Sequence, residues 1–117
     1  MSLSSIASAL RKAASSSHDR AWTMPAAFYT DADFLALERS TLFGQEWLCV
    51  GRIEEVPEPG CHMAYRLADE AMVIVHGSDG RIRALSNVCR HRGTLIASGK
   101  GKGRRLTCPY HHWAYEL

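Results

Sequence analysis

Two short motifs carry the chemistry-bearing side chains of this 117-residue chain: Cys89-Arg90-His91 and Cys108-Pro109-Tyr110-His111. Sixteen residues, 92–107, separate them. Each motif offers one thiolate and one imidazole from a tight loop. Two such loops facing each other can clamp a binuclear iron–sulfur cluster, with the thiolates on one iron and the imidazoles on the other. Cys89, His91, Cys108 and His111 are therefore the candidate metal- and cofactor-binding residues. Two ferric ions, two sulfides and two thiolates sum to about zero charge with neutral imidazoles, whereas four thiolates would leave the cluster anionic. An electron adds more readily to the neutral centre. The expected potential is roughly −150 to +300 mV, against about −400 mV for plant-type four-cysteine clusters. The chemistry implied is one-electron transfer, with no catalytic residue.

The same four donors also suit a tetrahedral zinc site in a structural module. Zinc modules usually pair Cys with Cys, however, and here each Cys pairs with a His. His112 is an alternative imidazole to His111. Cys49 and Cys61 read as free thiols half-buried on strands, since cysteine packs as a small hydrophobe. Four cysteines in a secreted chain would suggest disulfides. Two of them in Cys/His pairs point instead to a metal in a reducing compartment, and a cytoplasmic location.

The elements that must position these loops read as mainly β. Residues 1–24 are Ser- and Ala-rich and read as a flexible leader, although Leu3, Ile6 and Leu10 have helical spacing. Residues 25–45 read as a short N-terminal helical segment. Its helix is expected over 31–43, with Thr30 or Asp31 as N-cap, Thr30 and Asp33 at capping-box spacing, and Gly44 as terminator. Residues 46–117 read as the metal-binding domain. Strands are expected at Trp47–Val50, His62–Leu67, Met72–Val75 and Arg81–Leu85, with a short one at Leu106-Thr107. Asp79-Gly80 between two such runs is a strong hairpin signal. The Gly99–Gly103 run reads as a flexible basic turn.

The net charge of +2 gives no case for nucleic acid. No stretch approaches the roughly 20 apolar residues that span a bilayer. The charge is nonetheless uneven. Arg81, Arg83, Arg90, Arg92, Lys100, Lys102, Arg104 and Arg105 lie between Asp79 and Glu116 with no acid among them. Such a run can be an ordinary solvated face, or it can steer an acidic electron donor.

Asn87-Val88-Cys89-Arg90-His91-Arg92-Gly93 and Leu106-Thr107-Cys108-Pro109-Tyr110-His111-His112-Trp113 resemble the two cluster-binding loops of Rieske non-haem iron oxygenase α subunits. These include ring-hydroxylating dioxygenases and monooxygenases of quaternary ammonium compounds. Phe28-Tyr29-Thr30-Asp31, Glu38, Phe43, 47–52, Pro59-Gly60 and 84–87 extend the resemblance over roughly residues 25–117. It implies a Rieske-type antiparallel β sandwich holding a [2Fe–2S] cluster. Thr94 and Tyr110 stand where cytochrome bc-type relatives carry a disulfide, so the sequence resembles the disulfide-free, low-potential branch. Tyr110 and Trp113 read either as aromatics packed over the cluster that limit solvent access, or as ordinary core or surface aromatics.

The resemblance also implies a ferredoxin or flavin reductase as electron donor. The electron's destination in such subunits is a mononuclear Fe(II) in a larger catalytic domain. His18, His62, His76 and His112 form no two-His-one-carboxylate pattern for that iron. The chain thus reads as a fragment truncated after the second loop, lacking closing strands, with that loop poorly supported. Homotrimers are implied only for full-length α subunits. A standalone Rieske ferredoxin is the alternative, and the helical segment 25–45 argues against it.

Overall fold

A computed structural model describes residues 2–117. The chain divides into two compact units, one ending at Trp47 and the other running from Leu48 to Leu117.

The first unit is helical. Helix α1 spans Leu3–Ala14, within the segment expected to be a flexible leader. Ser2 caps it, its hydroxyl accepting from the Ser5 N–H at 3.2 Å. Arg11 and Lys12 in the last turn complement the helix dipole. Ile6 is buried in a cluster with Phe28 and Phe34. That apolar contact gives the Ser/Ala-rich stretch a reason to stay helical, which composition alone does not reveal.

Three short helices follow: α2 Ala27–Thr30, α3 Ala32–Ser40 and α4 Leu42–Gln45. The N-cap of α3 is Asp31, whose Oδ1 accepts from the Phe34 N–H at 3.0 Å. The cap therefore works from Asp31 to Phe34 and not through Thr30 and Asp33. The single helix expected over 31–43 is broken at Thr41. There both the N–H and the hydroxyl turn back to the Leu37 carbonyl, at 3.0 and 2.7 Å. Gly44 lies within α4 instead of ending the helix.

The second unit is antiparallel β, as the resemblance implies. Its strands are β1 Cys61–Leu67, β2 Glu70–His76, β3 Ile82–Ser86, β4 Lys100–Lys102, β5 Arg105–Thr107 and β6 Ala114–Glu116. The first four form one sheet in the order β3-β2-β1-β4, and β5 pairs with β6. Strand β2 shows why the sheet sits between two apolar layers. Val73 and Val75 point to one core with Leu106, while Ile74 points to the other with Val56 and Met63. Leu106 comes from β5, so the two-stranded sheet packs on the Val73/Val75 face.

Three local readings change. Residues 47–50 form no strand, and Cys49 is exposed. The Gly99–Gly103 run contains β4, which pairs with β1 in the register His62↔Gly101. A Cβ on Gly101 would lie 2.7 Å from the His62 Nε2, so a larger residue there would have to displace the His62 ring. Finally, β6 follows the second Cys/His motif and closes it against β5, so the loop expected to be poorly supported has a strand on each side. Among the described residues, no helix is long and apolar enough to cross a membrane.

Candidate metal centre

The two Cys/His loops share one local design. The Cys89 N–H donates to the Thr94 carbonyl at 2.8 Å, and the Cys108 N–H to the Trp113 carbonyl at 2.8 Å. Four residues past each cysteine an N–H returns to that cysteine's carbonyl: Gly93 to Cys89 at 2.9 Å, and His112 to Cys108 at 3.0 Å. Pairing of the flanking residues is also equivalent, Val88↔Leu95 around the first loop and Thr107↔Ala114 around the second. Both returns require a left-handed residue. Gly93 takes φ 69° and His112 takes φ 58°.

Asn87 fastens the first loop from beneath. It is buried, and its side chain donates to the Ala97 carbonyl and accepts from the Ala97 N–H, both at 2.8 Å. Its own N–H reaches the Ala71 carbonyl on β2. Leu106 on β5, two residues before Cys108, is likewise buried.

The structure brings all four candidate ligands together and sorts them by type. Cys89 and Cys108 are both buried, 3% and 2% exposed. His91 and His111 are exposed, their ring centroids 4.7 Å apart at 64°. Sulfur therefore lies inside and imidazole outside. This donor set fits a binuclear cluster whose two irons take unlike ligands. Among the described residues, no three His, Cys, Asp or Glu side chains are grouped to hold one ion.

Tyr115, absent from the sequence-derived site, reaches its centre from β6. Its hydroxyl lies 3.1 Å from the Cys89 Sγ and accepts from the Arg90 N–H at 3.1 Å. That hydroxyl is the main cause holding the Cys89 thiol below its ordinary pKa; burial opposes it, and the His91 and Arg92 N–H groups and Cys108 assist. The same contact raises the Tyr115 phenol. The available signal was an aromatic residue one strand pairing away from Leu106, legible only once Leu106↔Tyr115 is known.

The remaining aromatic residues frame the imidazoles. Trp113 stacks on His91 at 5.0 Å and 2°, and Tyr110 lies against His111 at 3.8 Å and 31°. Both are about half exposed. His112 is exposed, and it is the His111 ring that faces His91.

Ion pairing consumes half of the basic run. Arg81 and Arg83 meet Asp79 at 4.0 and 2.6 Å, Lys100 meets Glu55 at 2.9 Å, and Lys102 meets Glu58 at 2.8 Å. These lysines hold the Glu55 and Glu58 carboxyls below their ordinary range. Among the described residues, no ion pair engages Arg90, Arg92, Arg104 or Arg105.

Residues 46–117 match the family profile described as the Rieske [2Fe–2S] domain. The glycine betaine monooxygenase oxygenase subunit of Chromohalobacter salexigens is 44% identical over 96 residues, 81% of this chain and 22% of that protein. The carnitine monooxygenase oxygenase subunit of Escherichia coli K12 is 41% identical over 98 residues, covering 83% and 26%. Among solved structures, a quaternary ammonium Rieske monooxygenase in complex with L-carnitine superimposes with a TM-score of 0.74 at 39% identity, over 83% of this chain and 28% of that one. Naphthalene 1,2-dioxygenase from Rhodococcus sp. gives 0.78 at 30% identity, over 97% and 25%. The chain thus spans about a quarter of the length of the curated relatives it matches.

Proposed function

The chain belongs to the Rieske [2Fe–2S] domain family, and from that membership we propose that it is the electron-relay domain of an oxygenase α subunit acting on quaternary ammonium compounds. Cys89, His91, Cys108 and His111 hold the cluster in this reading. When bound, the cluster supplies reversible uptake of one electron. The observation that carries the reading is the sorting of donors, with both cysteines buried and the two exposed imidazoles side by side.

The protein's own groups set the conditions for that chemistry. The Tyr115 hydroxyl and the loop N–H groups stabilise negative charge on the Cys89 sulfur. Such bonds favour the reduced state, which carries the extra charge. The exposed imidazole edge is the side on which a partner can approach. Arg90 and Arg92 flank His91 there and favour an acidic donor, a ferredoxin or a flavin reductase. In the full-length subunit the electron's destination is a mononuclear iron in the catalytic domain.

Two findings support the oxygenase reading over a free-standing ferredoxin. A match of 96 residues is longer than the 46–117 region, so the likeness takes in part of the helical unit. The substrate class comes from relatives named for glycine betaine and carnitine.

Reconstitution of the full 117-residue chain with iron and sulfide tests the proposal. We expect two irons and two sulfides per chain, a brown chromophore and a low-temperature EPR signal only after reduction. Binding of zinc alone, without a chromophore, would remove the reading. Reduction by an acidic donor protein should slow as salt rises, and Arg90→Gln with Arg92→Gln should flatten that dependence. A salt-independent rate in the unmodified chain would rule out the steering role.

A further inference from the structure

The two loops are built alike, but the aromatic support of their imidazoles is one-sided. Both supporting rings come from the second loop. Tyr110 lies against His111, its neighbour in sequence. Trp113 crosses to the first loop and lies flat on His91, with ring planes within 2°. The loop receiving this support has the shorter flanking backbone ladder. Val88↔Leu95 is an isolated bridge, whereas the second loop rests on the three-pair β5–β6 ladder. No disulfide joins the loops, since all four cysteines are free.

We infer that Trp113 is the positioning residue for His91: its indole, carried by the loop with the longer flanking ladder, fixes the plane of the first-loop imidazole. The inference rests on the reading of His91 as a cluster ligand. An imidazole turns about two side-chain bonds, and a metal-bound nitrogen must hold one direction. A ring stacked on one face removes most of that freedom while leaving both ring nitrogens unobstructed at the edge. The same ring also covers that face against water. The sulfur side needs no such device, because Cys89 is buried and bonded to Tyr115. Strand β6 and the residue just before it thus restrain both donors of the first loop.

The test compares Trp113→Leu, Trp113→Phe and Tyr110→Leu in the full chain. In the metal-free protein, ring-current shifts of the His91 ring protons report the stack by NMR. In the reconstituted protein, pulsed EPR of the reduced state reports each imidazole nitrogen, and a chelator reports iron release. We expect Trp113→Leu to abolish the His91 ring-current shift, alter one nitrogen coupling and release iron about tenfold faster, the scale seen when groups orienting a ligand are lost. Trp113→Phe should retain most of each property. Tyr110→Leu should alter the other coupling.

Unchanged coupling and release in Trp113→Leu would overturn the inference. So would equal disturbance of both imidazoles, or a Phe variant as impaired as the Leu variant, since those outcomes describe general loosening. If Trp113→Leu does not fold, the Phe variant and the NMR shifts of the unmodified chain decide the matter; an unshifted His91 ring refutes the stack. Failure of the unmodified chain to give any cluster signal would instead defeat the proposed function, and the inference with it.

Discussion

Gly93 and His112 occupy the same place in two loops of one design. Each lies four residues past a cysteine, donates its N–H to that cysteine's carbonyl oxygen and holds a positive φ, 69° and 58°. Glycine adopts this conformation freely. For a residue with a Cβ it costs roughly 1–2 kcal/mol. The second loop therefore contains backbone strain that the first does not.

Replacing His112 by Gly should raise the stability of the metal-free chain by about 1 kcal/mol, and His112→Val should lower it. Urea midpoints measure both. Iron content should be unchanged in His112→Gly, because it is the His111 ring that faces His91. Loss of iron from that variant would transfer the ligand role to His112.

Tyr115→Phe removes the hydroxyl next to the Cys89 sulfur and keeps the ring packed near Val73, Val75 and Leu106. The reduced state depends more on that hydrogen bond, so the potential should fall. A tenfold change in the redox equilibrium corresponds to about 59 mV for one electron, and a drop of this order is expected. Redox titration followed by EPR gives the value. An unchanged potential would show that the contact does not act on the electron.

Asn87→Ala should destabilise the chain by about 1–3 kcal/mol, the cost of leaving buried polar groups unpaired. The Ala97 N–H and carbonyl both lose their partner. Thermal unfolding checks the magnitude. Amide exchange at Ala97 and Cys89, whose N–H groups donate to the Asn87 side chain and to the Thr94 carbonyl, should rise first, because the first loop is fastened there.

Asp79 makes the β2–β3 hairpin sensitive to strong acid. Two bonds from the Arg83 guanidinium, at 2.8 and 2.6 Å, and then the Arg81 N–H hold its carboxyl well below the usual range. A depressed carboxyl contributes stability that is fully present above its unfolded pKa, about 3.9. That contribution is lost as pH falls through the folded value. Urea midpoints of the unmodified chain and Asp79→Asn should therefore differ by a constant amount from pH 7 to about 4 and converge below that. Convergence already at pH 6 would assign the effect to another group.

The parts of the fold that were legible in the sequence are those fixed by local chemistry. Cys89/His91 and Cys108/His111 announce themselves by spacing. The β2–β3 hairpin follows from Asp79-Gly80 between alternating runs. Asp31 suits a cap whatever lies around it. What stayed hidden depends on partners distant in sequence. Strand β4 is a Gly/Lys run made into a strand by β1, and β6 is three residues paired only by β5. Helix α1 is held by the burial of Ile6 against Phe28 and Phe34, about two dozen residues away. Tyr115 acts on Cys89 from 26 positions away. The acids that neutralise Lys100 and Lys102, Glu55 and Glu58, likewise lie more than forty residues away.

The placement of the four cysteines gives the metal-free chain an internal gauge of its own integrity. Cys49 is open to solvent, Cys61 is partly covered, and Cys89 and Cys108 are buried. An alkylating reagent therefore meets one thiol at once, a second more slowly, and the last two only when the loops part. The number of slow thiols counts the molecules whose site is assembled, before any metal has been added.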